Sequence, residues 1–222
     1  MTTATMDFEQ ARFNMVEQQI RPWDVLDTEV LDLMMTVKRE NFVPDAYRTI
    51  AFADLEVPLA GGAKMWAPKV EARILQELAL RKTDRVLEIG TGSGFLAALM
   101  ASKAVEVVSI EIDRALAEQA KKNLARAEFR NVTVETGDGS KGLPAKAPYD
   151  VIVVTGGIPS IPAELLAQLK VGGRLAAIVG QAPLMEAQIV TQTAEGVFST
   201  VNLFETVVDP LKSVKPAPAF AF

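Results

Sequence analysis

Apolar positions follow two different rhythms along the chain, and the change falls near residue 85. Residues 8–20 mix apolar and polar positions at helical spacing. Pro22 ends that run, and Arg21, directly before it, is expected to be extended. Asp27 or Thr28 can cap a second helix running to about Val37, with Val30, Leu31, Met34 and Met35 as its stripe. That methionine-rich stripe reads as core packing. Residues 57–68 hold Pro58, Gly61, Gly62 and Pro68 and read as a loop. Helical spacing returns over 69–80, with Val70, Ile74, Leu75 and Leu78 on one face.

Beyond Arg85, short β-branched runs alternate with helical stretches. The runs are 86–89, 105–110, 132–135, 151–154 and 175–179; the helices are 95–102, 114–127 and 163–169. Fully apolar strands alternating with helices predict a parallel sheet covered on both faces. Residues 187–193 and 197–208 are strand-like with Glu195-Gly196 between them, so an antiparallel hairpin closes the sheet. The division expected is an N-terminal helical extension with a loop (1–68), an α/β domain (69–211) and a tail (212–222). The first six residues read as disordered, and the Pro- and Phe-containing tail reads as a flexible end in preference to a strap lying on the body.

Composition narrows the chemistry. The chain has 222 residues, no histidine and no cysteine, and a formal net charge of -5. Disulfides, thiolate nucleophiles and histidine-based triads are therefore excluded, as are Cys/His zinc sites. The acidity argues against nucleic acid, which a basic surface binds. No apolar stretch is long enough for a membrane span, and the N-terminus lacks a signal peptide's basic head and apolar core. The expectation is a cytoplasmic protein.

The richest motif is Val86-Leu87-Glu88-Ile89-Gly90-Thr91-Gly92-Ser93-Gly94, where a first parallel strand hands over to a helix. Ligands of such sheets lie at the carboxyl ends of the strands, and glycine lets backbone approach them. A dinucleotide loop would need a small residue where Phe95 stands, and a Walker loop would need a lysine. The pattern is instead similar to that of Rossmann-like class I S-adenosylmethionine methyltransferases. Glu88 precedes the loop, and Glu111 ends the next strand where a carboxylate can accept both ribose hydroxyls. Gly137, Asp138 and Gly139 follow the third strand, where a carboxylate can bind the adenine amino group. Glu88, Gly90, Thr91, Gly92, Ser93, Gly94, Glu111, Ile112, Gly137, Asp138 and Gly139 are thus the candidate donor-binding residues. A pocket lined by carboxylates suits a sulfonium and an ammonium and repels a pyrophosphate.

Further segments resemble the protein-L-isoaspartate O-methyltransferase family: Val37-Lys38-Arg39-Glu40-Asn41-Phe42-Val43-Pro44, the loop ending at Pro68, Gly137-Asp138-Gly139, Tyr149-Asp150-Val151-Ile152-Val153-Val154-Thr155, and Val208-Asp209-Pro210-Leu211. The resemblance implies S-adenosylmethionine as methyl donor and a side-chain carboxylate of damaged protein as acceptor. A carboxylate is already ionised near neutral pH, so the absence of histidine is compatible with that reaction.

One loop departs from the family. Its typical Gly-x-Gly-Gln-Thr-Ile-Ser-x-Pro is here Ala60-Gly61-Gly62-Ala63-Lys64-Met65-Trp66-Ala67-Pro68. Lys64 stands at the Thr position and Trp66 at the Ser position, whose hydroxyls in the family face the acceptor. Thr155 is retained, followed by Gly156-Gly157 where the family has small Ala residues. Lys64, Trp66 and Thr155 are the candidate acceptor-side residues. Either Lys64 supplies charge for a carboxylate acceptor and Trp66 reshapes the pocket, or isoaspartyl repair is lost and the protein serves another acceptor or acts through a protein partner.

Overall fold

In a computed structural model, the structure describes residues 7–214. The N-terminal part is helical. Helix α1 (Phe8–Met15) is capped by the Asp7 carboxylate, which accepts from Glu9 N and Gln10 N. Its continuation is a wider π turn (Val16–Ile20) and then a 3-10 turn (Arg21–Trp23). Arg21 is therefore helical (φ −58, ψ −43) and not extended as its place before Pro22 predicts; its N–H donates to Val16 O across the widened turn. Helix α2 (Thr28–Thr36) starts at Asp27, whose carboxylate accepts from Glu29 N and Val30 N. Val30, Leu31 and Met34 are buried, so the stripe is core packing.

The loop after α2 contains a small ribbon, β1 (Val57–Pro58) against β2 (Lys64–Met65), antiparallel. Helix α3 (Pro68–Leu78) follows with Pro68 at its first turn, the place where a missing N–H costs nothing.

The sheet has seven strands. They are β3 (Arg85–Ile89), β4 (Glu106–Glu111), β5 (Val132–Thr136), β6 (Tyr149–Val154), β7 (Leu169–Gln181), β8 (Leu184–Ala194) and β9 (Val197–Glu205). Their spatial order is β5-β4-β3-β6-β7-β8-β9. Pairs from β5 to β7 are parallel, whereas β7 with β8 and β8 with β9 are antiparallel. The turn at Glu195-Gly196 joins the last two, with Gly196 at φ +70.

Helices α4 (Phe95–Ala101) and α5 (Arg114–Arg126) connect the first three strands. Helix α6 (Ala163–Leu166) is shorter than its apolar run predicts. The Gln168 amide donates to Glu164 O at 2.8 Å, and the Gln168 carbonyl accepts from Tyr149 N, so the chain leaves the helix to start β7. Strand β7 in turn is longer than its apolar centre, because β8 pairs with its polar end as far as Gln181.

Alternate strand residues feed two cores. Val86, Val107, Val151 and Val153 join the helices α2 to α5 and the buried residues Met15 to Ile20 in one. Leu87, Ile89, Ile110, Ile152 and Val154 face the other, closed by Leu165, Leu169 and loop residues. The N-terminal helices share the first core, so burial of apolar surface ties them to the sheet. No described helix is long and apolar enough to cross a membrane.

Candidate functional site

The strand order turns back between β3 and β6. Chain from the end of β3 runs outward through β4 and β5, and chain from β6 runs the other way. Ligands of open α/β sheets bind in the crevice at such a switch point. Gly90 and Thr155 stand there, one residue past the paired Ile89 and Val154. Gly90 N donates to Ile110 O at 2.8 Å and Thr155 N to Ile89 O at 3.0 Å.

A cavity opens over this edge. Its floor is Glu88 to Ser93, Glu111, Ile112 and Gly139; its far wall is Lys64, Met65 and Trp66; its roof is a strap from Asp209 to Ser213. Gly90 has φ +96, and a Cβ there would lie 2.2 Å from Thr155 Oγ1, so no other residue fits.

Register places the acids. Glu88 on β3 lies opposite Ser109 on β4, and the Ser109 hydroxyl donates to Glu88 Oε2. Glu88 is fully buried and its Oε1 has no hydrogen-bond partner. Burial pushes its carboxyl up to about 8, against the pull of the Ser109 hydroxyl. Glu111 ends β4; its Oε2 accepts from Gly92 N at 2.9 Å and its Oε1 from Asp113 N at 3.0 Å. Four acidic side chains, Glu71, Glu88, Glu111 and Asp209, thus line one cavity. An unpartnered carboxylate oxygen among them fits the ammonium of a methionine-type ligand, and no lining group of the floor supplies charge for a phosphate.

The expected donor residues separate into two groups. Glu88, Gly90, Thr91, Gly92, Ser93, Glu111, Ile112 and Gly139 line the cavity. Gly94, Gly137 and Asp138 do not. Gly94 begins α4 and faces Leu124 and Ala120 of α5. Gly137 packs against Ile110. Asp138 is exposed beside the rim; its carboxylate accepts from Ser140 N, which holds it below the usual range, and it bonds the Ser213 hydroxyl.

The acceptor-side residues all line the cavity, and the Thr155 hydroxyl and the Lys64 ammonium are already engaged. The Thr155 hydroxyl lies 2.6 Å from Gly90 O and 2.9 Å from Ile89 O, so its one proton is held by backbone. Trp66 is buried. Lys64 Nζ is 3.0 Å from Asp209 Oδ2 and 3.2 Å from Glu56 Oε2, and the Asp209 hydrogen bond chiefly raises its pKa.

Three groups escaped the sequence reading. Arg39 is fully buried: its Nε donates to Ala51 O at 2.9 Å, one Nη to Trp66 O at 2.6 Å, the other to Glu71, and its guanidinium lies 5.0 Å over the Phe95 ring. Glu71 is its partner; burial pushes this carboxyl up while Arg39 pulls it down. A charge at 71 within the apolar face of α3, beside Val70, Ile74 and Leu75, was the available signal. The strap showed only as the family-like segment Val208-Asp209-Pro210-Leu211, and its seat was hidden because it is built from backbone: Gly157 N donates to Asp209 O and Leu211 N to Gly157 O, both at 2.9 Å.

The family model described as Protein-L-isoaspartate(D-aspartate) O-methyltransferase (PCMT) matches residues 10–214. A protein-L-isoaspartate O-methyltransferase of Methanoculleus marisnigri is 46% identical over 169 residues, 76% of this chain and 77% of that one. A second, from Marinobacter nauticus, is 40% identical over 206 residues, 92% and 94% of the two chains. A solved protein-L-isoaspartate O-methyltransferase has a TM-score of 0.78 at 29% identity, covering 90% of this chain and 65% of its own. A Plasmodium falciparum structure carrying S-adenosyl-L-homocysteine has a TM-score of 0.77 at 18% identity, covering 93% and 99%; it speaks for the fold alone. With the glycine loop, the acids and the switch-point cavity in place, the chain belongs to the protein-L-isoaspartate O-methyltransferase family.

Proposed function

We propose that this protein transfers a methyl group from S-adenosylmethionine to the side-chain carboxylate of an isoaspartyl residue in a protein or peptide. One observation carries the reading: a single cavity joins the glycine loop and its carboxylates to the loop of Lys64, Met65 and Trp66. Glu88, Glu111 and the backbone of the glycine loop would hold the donor, with Asp138 at the rim. The donor supplies an electrophilic methyl on a sulfonium.

The protein's own part is alignment and exclusion of water. An acceptor carboxylate arrives ionised, so no base is required, which agrees with a chain free of histidine. Trp66 and Phe95 close the cavity's apolar side. Arg39 ties the Trp66 carbonyl to α3 and so fixes the acceptor wall against the donor floor. The absence of cysteine accords with a cytoplasmic setting.

The engaged Thr155 hydroxyl and the paired Lys64 favour a second reading, in which the donor is bound but another acceptor is used. Labelled donor with an isoaspartyl peptide and its aspartyl twin separates the two. Transfer to the first peptide alone is the expected result. Background labelling of both, with S-adenosylhomocysteine still bound, would leave only the second reading.

A further inference from the structure

Lys64 and Asp209 come from distant parts of the chain and meet at the cavity wall. Both line the cavity, and Lys64 Nζ lies 3.0 Å from one Asp209 oxygen and 3.2 Å from the other. Only one other lysine lines it among the described residues. That is Lys212, whose Nζ donates to Gly61 O at 2.9 Å and lies 3.8 Å from the Asp113 carboxylate. On the wall that carries Trp66, Lys64 is therefore the cation available to a carboxylate.

We propose that Asp209 occupies, on Lys64, the seat of the acceptor's carboxylate, and that an isoaspartyl acceptor enters by displacing it. The inference rests on the acceptor's being a protein carboxylate.

Three features make the exchange cheap. The pair is open to water, with side-chain exposures of 40% and 52%, and exposed ion pairs add little net stability. The exchange replaces one carboxylate by another, so the charge around Lys64 does not change. Glu56, 3.2 Å away, stays as a second partner and keeps the ammonium oriented. The movement needed is also small. The Asp209 backbone is held by its carbonyl, which accepts from Gly157 N at 2.9 Å, so its side chain can rotate into water while the strap stays down. Lys64 thereby takes over the task of the hydroxyl that the family loop carries at this position, and Asp209 sets the threshold an acceptor must overcome.

The test is calorimetry of an isoaspartyl peptide on the full chain with S-adenosylhomocysteine present, with turnover measured on the same samples. Titration with S-adenosylhomocysteine alone checks the fold of each variant. Asp209→Asn is expected to tighten peptide binding by roughly two- to fivefold, the effect of one exposed charge. Lys64→Met is expected to weaken it by at least that factor, and Lys64→Arg to restore most of the loss. Unchanged or weaker binding in Asp209→Asn, or wild-type binding in Lys64→Met, would overturn the exchange. Tighter binding without methyl transfer would support the exchange and sink the repair activity. Methyl transfer with no Asp209 effect would do the reverse. An isoaspartyl peptide that no variant binds would sink both.

Discussion

Arg39 is where the two halves of the site meet. It bonds Ala51 of the N-terminal part, Trp66 of the acceptor wall and Glu71 of α3. Removing it leaves the Glu71 carboxyl without its partner in a dry interior, where it must take up a proton or stand as an uncompensated charge. Breaking one side of a buried pair costs about 3–5 kcal/mol. Arg39→Met should lose that much in urea unfolding, and adding Glu71→Leu should recover part of it. A loss below about 1 kcal/mol would contradict this role. Residue identity told unequal amounts of this. Glu88 and Glu111 were legible because loop spacing marks them. Arg39 was not, since it sits in the run Lys38-Arg39-Glu40, which by composition looks solvated, yet two of those three are buried. Lys64 was legible as a position but not as a pair: Asp209 lies 145 residues further on.

The strap is the element that differs most from its sequence-based expectation. The sequence offers Val208-Asp209-Pro210-Leu211 only as a family-like segment and places Lys212 and Ser213 in the tail, whereas in the structure Asp209 to Ser213 roof the cavity. The strap lies directly on Gly156, where a Cβ would meet the Leu211 Cα at 2.8 Å and its N at 2.9 Å. That contact accounts for glycine at 156; at 157 a Cβ would instead meet the Met185 Cε at 2.4 Å. Gly156→Ala should lift the strap and weaken S-adenosylhomocysteine binding about tenfold or more, since backbone and not a flexible side chain must move. Calorimetry reads this directly; unaltered affinity would show that the strap is no part of the binding site. Strand and helix periods otherwise predicted the elements well. They failed at α6, where the Gln168 side chain bonds the helix end, and at β7, whose polar end is held by pairing with β8 and not by burial.

At the scale of the whole molecule, two apolar cores flank the sheet, and Glu71, Glu88 and Glu111 are buried with them. Glu88 keeps its proton up to about pH 8, whereas in the unfolded chain it ionises near 4.5. Between these values the native state binds more protons than the unfolded one. Stability therefore falls as pH rises through this window, by up to about 1.4 kcal/mol per unit from this group. Glu88→Gln should flatten the decline in urea midpoints; an unchanged slope would remove Glu88 as its source. A ligand ammonium beside Glu88 favours the ionised carboxylate. S-adenosylhomocysteine should accordingly bind more tightly as pH approaches 8, with a proton released on binding.

The central claim is that a carboxylate chemistry survives the replacement of the family's hydroxyl loop by Lys64 and Trp66. Methyl transfer from labelled S-adenosylmethionine to an isoaspartyl peptide, against its aspartyl twin, tests it most directly. The account predicts labelling of the isoaspartyl peptide, abolished or strongly reduced by Glu111→Ala. Equal background labelling of the two peptides by a protein that binds S-adenosylhomocysteine would contradict it.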